Sequence, residues 1–261
     1  MSRGVTWLHA LAGCAAEQRL PSVRFADAEL ASRAARFIAV VPDPHNPFPR
    51  ARNGEVGLLE GWALAQVVDE AIEADRKAPL KRAIVAIVDV PSQAYGRREE
   101  ALGIHQALAG AVDSYARARL AGHPVIGLLV GKAMSGAFLA HGYQAQRLIA
   151  LDAPGVMVHA MGKAAAARIT LRSVEELEQL AAQVPPMAYD LDNYDSLGLL
   201  WERVAVADAD SPSAEDILAT QECLCRAVID IGMGTDLSGR LNGTNRAASR
   251  QVRDLLKAQW S

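Results

Sequence analysis

The stretch Pro124-Val125-Ile126-Gly127-Leu128-Leu129-Val130-Gly131-Lys132-Ala133-Met134-Ser135-Gly136-Ala137-Phe138-Leu139-Ala140 constrains the fold more than any other. An aliphatic run of strand length meets a group of small residues, and an Ala-rich segment follows. That order predicts a buried strand over residues 125–130, a tight turn, and a helix over 137–143. Gly and Ala in such a turn let main-chain N–H groups come close to a ligand. The first helical turn adds unpaired donors at the positive end of a dipole. Together they suit a developing oxyanion.

A second segment has the same layout. Ile87-Val88-Asp89-Val90-Pro91-Ser92-Gln93-Ala94-Tyr95-Gly96 ends a buried strand, predicted over 83–90, in a short polar loop. In a parallel sheet both loops emerge at the carboxyl edge, where ligands tend to bind. Further strands are predicted at 34–41, 147–151, 156–159 and 204–206. Helices are predicted at 7–17, 55–78, 97–121, 162–169, 174–182, 214–231 and 247–260. Four prolines between Pro42 and Pro49 exclude regular structure there. The alternation argues for one α/β domain over residues 1–261, with a largely parallel sheet and a helical C-terminal portion.

Composition removes several function classes. The 261 residues carry a net charge of −3, so a general nucleic-acid footprint is absent. No apolar run reaches the roughly 18 residues of a membrane span. The first residues lack a signal-peptide core, so a cytoplasmic location is expected. Cys14, Cys223 and Cys225 fit neither a zinc site nor a disulfide framework. The six histidines form no metal-binding pattern, and no dinucleotide or P-loop fingerprint is present. Ser135 sits near a strand-to-helix turn, with His141, His159 and Asp152 available as partners. A nucleophile elbow wants Gly two residues either side of the serine, where Ala133 and Ala137 stand.

The two segments together carry a resemblance. Asp89-Val90-Pro91-Ser92-Gln93-Ala94-Tyr95-Gly96 with Glu99-Glu100, then Gly131-Lys132-Ala133-Met134-Ser135-Gly136-Ala137, resembles the carboxyltransferase branch of the crotonase-fold superfamily. There the stretches read roughly Asp-x-Pro-Gly-x-x-x-Gly…Glu and Gly-Glu-Gly-Gly-Ser-Gly-Gly-Ala. Val158-His159-Ala160-Met161-Gly162 is similar to a third segment of that branch. Pro42 to Gly57 and Glu60-Gly61-Trp62 narrow the resemblance to the gamma subunits of biotin-independent malonate decarboxylases.

The resemblance implies a crotonase-like ββα superhelix and a homologous beta subunit as heterodimer partner. It implies a malonyl thioester decarboxylated to the acetyl thioester on the phosphopantetheine-type arm of an acyl-carrier subunit. An alpha transferase subunit would reload that carrier. No cofactor or metal on this chain is implied. The enolate left by carbon dioxide needs preorganised donors. The backbone amides of Ser92, Gln93, Ala133 and Met134 are the candidates. Tyr95 and Ser135 are candidates for fixing the carboxylate, and His159, Tyr95 or water for returning a proton. Ser92 and Ala133-Met134 stand where the branch has Gly, and these side chains are expected to narrow the pocket.

Two other readings fit the same residues. One is a crotonase-fold hydratase or isomerase acting on acyl-CoA, which would want a carboxylate base in the site. The other is a non-catalytic subunit that supports its partner and docks the carrier. Arg240, Arg246, Arg250 and Arg253 form a basic group that suits an acidic carrier or its phosphorylated arm, or else a solvated helix face.

Overall fold

A sheet whose strands are apolar on both faces must be covered on both sides, and that requirement organises the chain. The computed structural model describes residues 2–260. In order, the elements are α1 (Arg3–Ala12), β1 (Glu17–Leu20), β2 (Val23–Leu30), β3 (Arg33–Val40), α2 (Leu58–Ala74), β4 (Ala83–Val90), α3 (Arg97–Ala101), α4 (Ile104–Leu120) and β5 (Val125–Met134). They continue with α5 (Ser135–Ala140), β6 (Arg147–Asp152), β7 (Met157–His159), α6 (Lys163–Ile169), α7 (Val174–Ala181), α8 (Leu191–Ser196), β8 (Glu202–Ala205), α9 (Ala214–Ile231) and α10 (Ala247–Trp260).

The main sheet runs β1-β2-β3-β4-β5-β6-β8, with β7 added to the far end of β5. From β3 onward all pairings are parallel, as the alternation implied. Strands β4 and β5 are buried along their length except at Asp89 and Lys132. Helices α2 and α4 pack on each other, and α1 touches α9. Trp7 of α1 is fully buried, and its indole N–H donates to the Ala209 carbonyl at 2.9 Å.

Several predicted elements need correction. The helix placed at 7–17 ends at Ala12, and two antiparallel strands, β1 and β2, follow it. Their charged alternation, as in Arg24, Asp27 and Glu29, hides the buried Val23, Phe25, Ala26 and Leu30. The helix placed at 97–121 is two helices. Gly103 separates them at φ +82°, a conformation that glycine adopts without a Cβ penalty.

Of the turn expected between 130 and 137, residues 131–134 are strand, and the helix placed at 137–143 starts at Ser135 and ends at Ala140. β5 continues to Met134 by bulging against β4: Val88 pairs with Leu129, but Val90 pairs with Ala133. Asp89 fills the gap, with its Oδ1 accepting from the Lys132 amide at 3.2 Å. Arg3 reaches the Val130 carbonyl at 3.2 Å and holds Asp210 through two bonds. A Cβ on Gly131 would stand 2.1 Å from Asp89 Oδ1, so only glycine fits beside that carboxylate.

The proline-rich segment is anchored by Glu60, which is fully buried at the start of α2. Its carboxylate accepts from Ser22 Oγ at 2.7 Å, Asn46 Nδ2 at 2.8 Å and the Gly57 amide at 3.0 Å. Three donors substitute for the lost hydration of a buried anion. At the other end of the chain, α10 has no buried residue, while Arg240 is 93% buried, unlike the solvated Arg250 and Arg253.

Candidate functional site

The carboxyl ends of β4 and β5 meet through one side chain. Gln93 Oε1 accepts a hydrogen bond from the Gly136 amide at 2.9 Å. The loop after β4 is itself held by a short parallel bridge to Val56. The Val56 amide donates to the Ser92 carbonyl at 3.1 Å, and the Ala94 amide donates to the Val56 carbonyl at 2.8 Å. Among the described residues the Ser92 and Gln93 amides have no protein acceptor, and both residues are half-buried.

The sheet takes up the other two candidate amides. Pro91 has no N–H, so the Val90–Ala133 pairing closes through the Val90 amide and the Met134 amide, the latter on the Val90 carbonyl. The Val158 amide turns away to the Tyr189 carbonyl, which sets the phase of β5 against β7. In that phase the Ala133 amide faces Met157. Both residues are buried, and neither side chain lines the neighbouring cavity, so they do not narrow it.

Ser135 begins α5 at φ +61°. A non-glycine residue in that region carries roughly 1–3 kcal/mol of strain, and the strain turns the chain sharply from strand into helix. Ser135 and Gly136 open onto a cavity of about 480 Å³. Phe138, Tyr143, Val158, Leu177, Pro185 and Met187 are among its walls, and His159 lies at one side. Among the described residues, no Asp, Glu, Lys or Arg lines it.

His159 stacks on Tyr189, with ring centroids 3.8 Å apart and 14° between planes. Its Nδ1 lies 2.9 Å from the Met161 carbonyl. Burial lowers its pKa against the opposing pull of the Met161 and Met187 carbonyls, so the ring is neutral at pH 7. His141 is structural. It is fully buried between the Tyr115 hydroxyl and the Ile87 carbonyl, each at 3.0 Å, and burial pushes its pKa down to about 4. Ser135 Oγ bonds to neither histidine, and Asp152 is paired with Arg203, so these residues assemble no nucleophilic triad.

Tyr95 lies apart from the cavity. It is exposed beneath the Arg50 guanidinium, 4.4 Å from its ring centroid, and Arg50 pairs with Glu55. Ser135, Gly136 and His159 thus line one cavity, Gln93 joins it through the Gly136 amide, Tyr95 lies outside, and Ala133 and Met134 belong to the sheet. The sequence reading passed over Gly136 and Tyr189. The small residue after Ser135 was a signal for the first; nothing local marks the second.

The fold is that of the crotonase-like carboxyltransferases. The fold matches a transcarboxylase 12S chain with a TM-score of 0.59 at 18% identity, over 80% of this chain and 36% of that one. The particular family is also fixed: the chain belongs to the malonate decarboxylase gamma subunits, whose family model matches residues 51–260. It is 71% identical to a chain of a Pseudomonas malonate decarboxylase hetero-tetramer in complex with coenzyme A, with full coverage of both chains and a TM-score of 0.97. It is 69% identical, again with full coverage and a TM-score of 0.93, to a chain of the Pseudomonas MdcD–MdcE hetero-dimer. A curated relative from Malonomonas rubra, the malonyl-S-ACP:biotin-protein carboxyltransferase MADD, is 38% identical over 164 residues. That alignment spans 62% of this chain and 56% of MADD.

Proposed function

We propose that this chain pairs with a homologous beta subunit and decarboxylates a malonyl thioester carried on the phosphopantetheine-type arm of an acyl-carrier subunit. The observation that carries the reading is the Gln93–Gly136 bond, which locks two strand-end loops beside an apolar cavity. An alpha subunit that exchanges acetyl for malonate on the carrier completes the cycle.

The chemistry follows from charge. Loss of carbon dioxide moves the electron pair of the breaking C–C bond onto the thioester carbonyl, leaving an enolate. A cavity without a cationic side chain disfavours the starting carboxylate. The unpaired Ser92 and Gln93 amides stabilise the charge that forms on oxygen. Gln93 Oε1, held by the Gly136 amide, keeps their loop in place. The Ser135 hydroxyl orients the departing carboxylate at the mouth. Neutral His159 is a poor acid, so water returns the proton to the carbanion. The absence of Asp and Glu from the cavity argues against a hydratase or isomerase base.

The test is a reconstitution. This chain, the beta subunit and the pair are each assayed on malonyl-S-carrier. The pair is expected to be active and each subunit alone inactive. With Gln93→Ala in the assembled pair, kcat should fall about 10²-fold, the usual effect of a loosened reacting group. Undiminished activity would leave this chain a supporting subunit.

A further inference from the structure

The C-terminal helix buries nothing and yet is strongly sided. Every residue of α10 is exposed. Arg250, Arg253 and Lys257 stand at i, i+3 and i+7, a spacing that puts them on one face, and Arg246 precedes them by about one turn. Val252, Leu256 and Trp260 stand at i, i+4 and i+8 and form an apolar flank beside that face. Trp260 is 91% exposed. Among the described residues no carboxylate pairs with any of the four cations. Hydrogen bonds from Arg246 and Arg250 reach the Arg240 and Gly243 carbonyls, each at 3.4 Å, and leave the outward nitrogens free.

Charge is also segregated here. The four cations against Asp254 give this segment +3, in a chain whose net charge is −3. The remainder of the chain is therefore −6. An anionic partner is repelled by that remainder and drawn to this helix.

The root of the helix lies on the wall of the apolar cavity. Gly243 packs so closely against α8's end that a Cβ there would stand 2.1 Å from the Leu197 carbonyl carbon. Thr244 Oγ1 donates to the Ser196 carbonyl at 3.2 Å, and Asn245 Nδ2 donates to Ser196 Oγ at 2.9 Å. Leu197 and Leu199, the residues that follow, line the cavity with Ser135 and His159. At about 1.5 Å per residue, a 14-residue helix extends about 21 Å from that wall.

We propose that α10 is the docking helix for an acidic face of the acyl-carrier subunit. Arg250, Arg253 and Lys257 meet its carboxylates, and Val252, Leu256 and Trp260 cover its apolar surface, as an amphipathic helix does in a groove. The inference rests on the carrier-borne substrate proposed above. A carrier seated along the helix keeps its flexible arm within reach of the cavity. An anionic lipid surface would satisfy the same stripe, but a root on the cavity wall favours a partner that delivers substrate there.

Fluorescence anisotropy of labelled malonyl-S-carrier, titrated with the assembled beta–gamma pair, tests this. Binding should be saturable and should weaken as salt rises from low to physiological strength. The triple charge reversal Arg250→Glu, Arg253→Glu, Lys257→Glu should weaken it at least tenfold and flatten the salt dependence. Trp260→Ala should weaken it with the salt dependence kept. In turnover the triple variant should raise KM for malonyl-S-carrier with kcat unchanged, and leave decarboxylation of free malonyl-pantetheine as in the wild type. Carrier affinity unchanged in the triple variant overturns the proposal, as does absence of carrier binding to the wild type. A triple variant that no longer pairs with the beta subunit makes α10 a subunit contact and overturns it too. So does cosedimentation with phosphatidylglycerol vesicles that the triple variant loses while it keeps the carrier. Intact, α10-dependent carrier binding without decarboxylation would instead contradict the reaction and leave the docking helix standing.

Discussion

Gln93 and Gly136, 43 positions apart in sequence, meet at 2.9 Å through a carboxamide oxygen and a main-chain N–H. The contact joins the end of β4 to the first turn beyond β5, and the candidate site is built around it. A Cβ on Gly136 would stand 3.3 Å from the same Oε1, so the approach depends on a small residue.

Replacing Ser135 by Ala separates two roles for that hydroxyl. An orienting hydrogen bond predicts a fall in kcat of about tenfold. A loss of about 10⁴ or more would instead mark a covalent nucleophile. Steady-state decarboxylation by the assembled complex measures it.

The β5 bulge should be sensitive at Gly131. A methyl group there collides with Asp89, which is already bonded to the Lys132 amide. Gly131→Ala is expected to lower unfolding stability by about 1–3 kcal/mol, read from urea denaturation with an unchanged m-value.

Glu60 offers a second stability test. Glu60→Ala leaves Ser22 Oγ, Asn46 Nδ2 and the Gly57 amide without their acceptor. At about 1–3 kcal/mol for each stranded buried donor, the loss should exceed about 3 kcal/mol. Thermal unfolding of the variant checks this.

The buried histidines set an acid limit. In the unfolded chain a histidine titrates near 6.5, while folded His141 is held down to about 4 by burial. The unfolded state therefore binds more protons below pH 6.5, and stability is lost as pH falls from there toward 4. Between pH 7 and pH 5 the loss from this residue is about 2 kcal/mol. Burial also lowers His123 and His159, which act in the same direction. Denaturation midpoints in His141→Gln should show a shallower pH slope.

Much of the architecture was legible because the apolar runs at β4 and β5 are long and uninterrupted. The parallel alternation, the proline-rich segment and the carboxyl-edge loops all followed from them. β1 and β2 were not legible, since Arg24, Asp27 and Glu29 break the apolar pattern. Arg36 reaches Asp27 and the Val67 carbonyl only after folding. At the site, Ser92 and Gln93 could be read as a donor loop from Pro91 onward. Ala133 and Met134 were misread because a small-residue run looks the same in a turn and in a bulged strand. Only the neighbour, Asp89 beneath Gly131, makes the difference. Arg240 was grouped by charge with its sequence neighbours, and its burial comes from Tyr143 and the β6 edge.

In the proposed reaction the Gln93 loop faces the negative charge formed as carbon dioxide departs. Gln93→Glu tests it with almost no change of shape, because a carboxylate oxygen still accepts from the Gly136 amide. Placed beside the developing enolate, the added charge should lower kcat by about 10²–10³, with the heterodimer and its melting temperature unchanged. A variant that turns over at the wild-type rate would contradict the account.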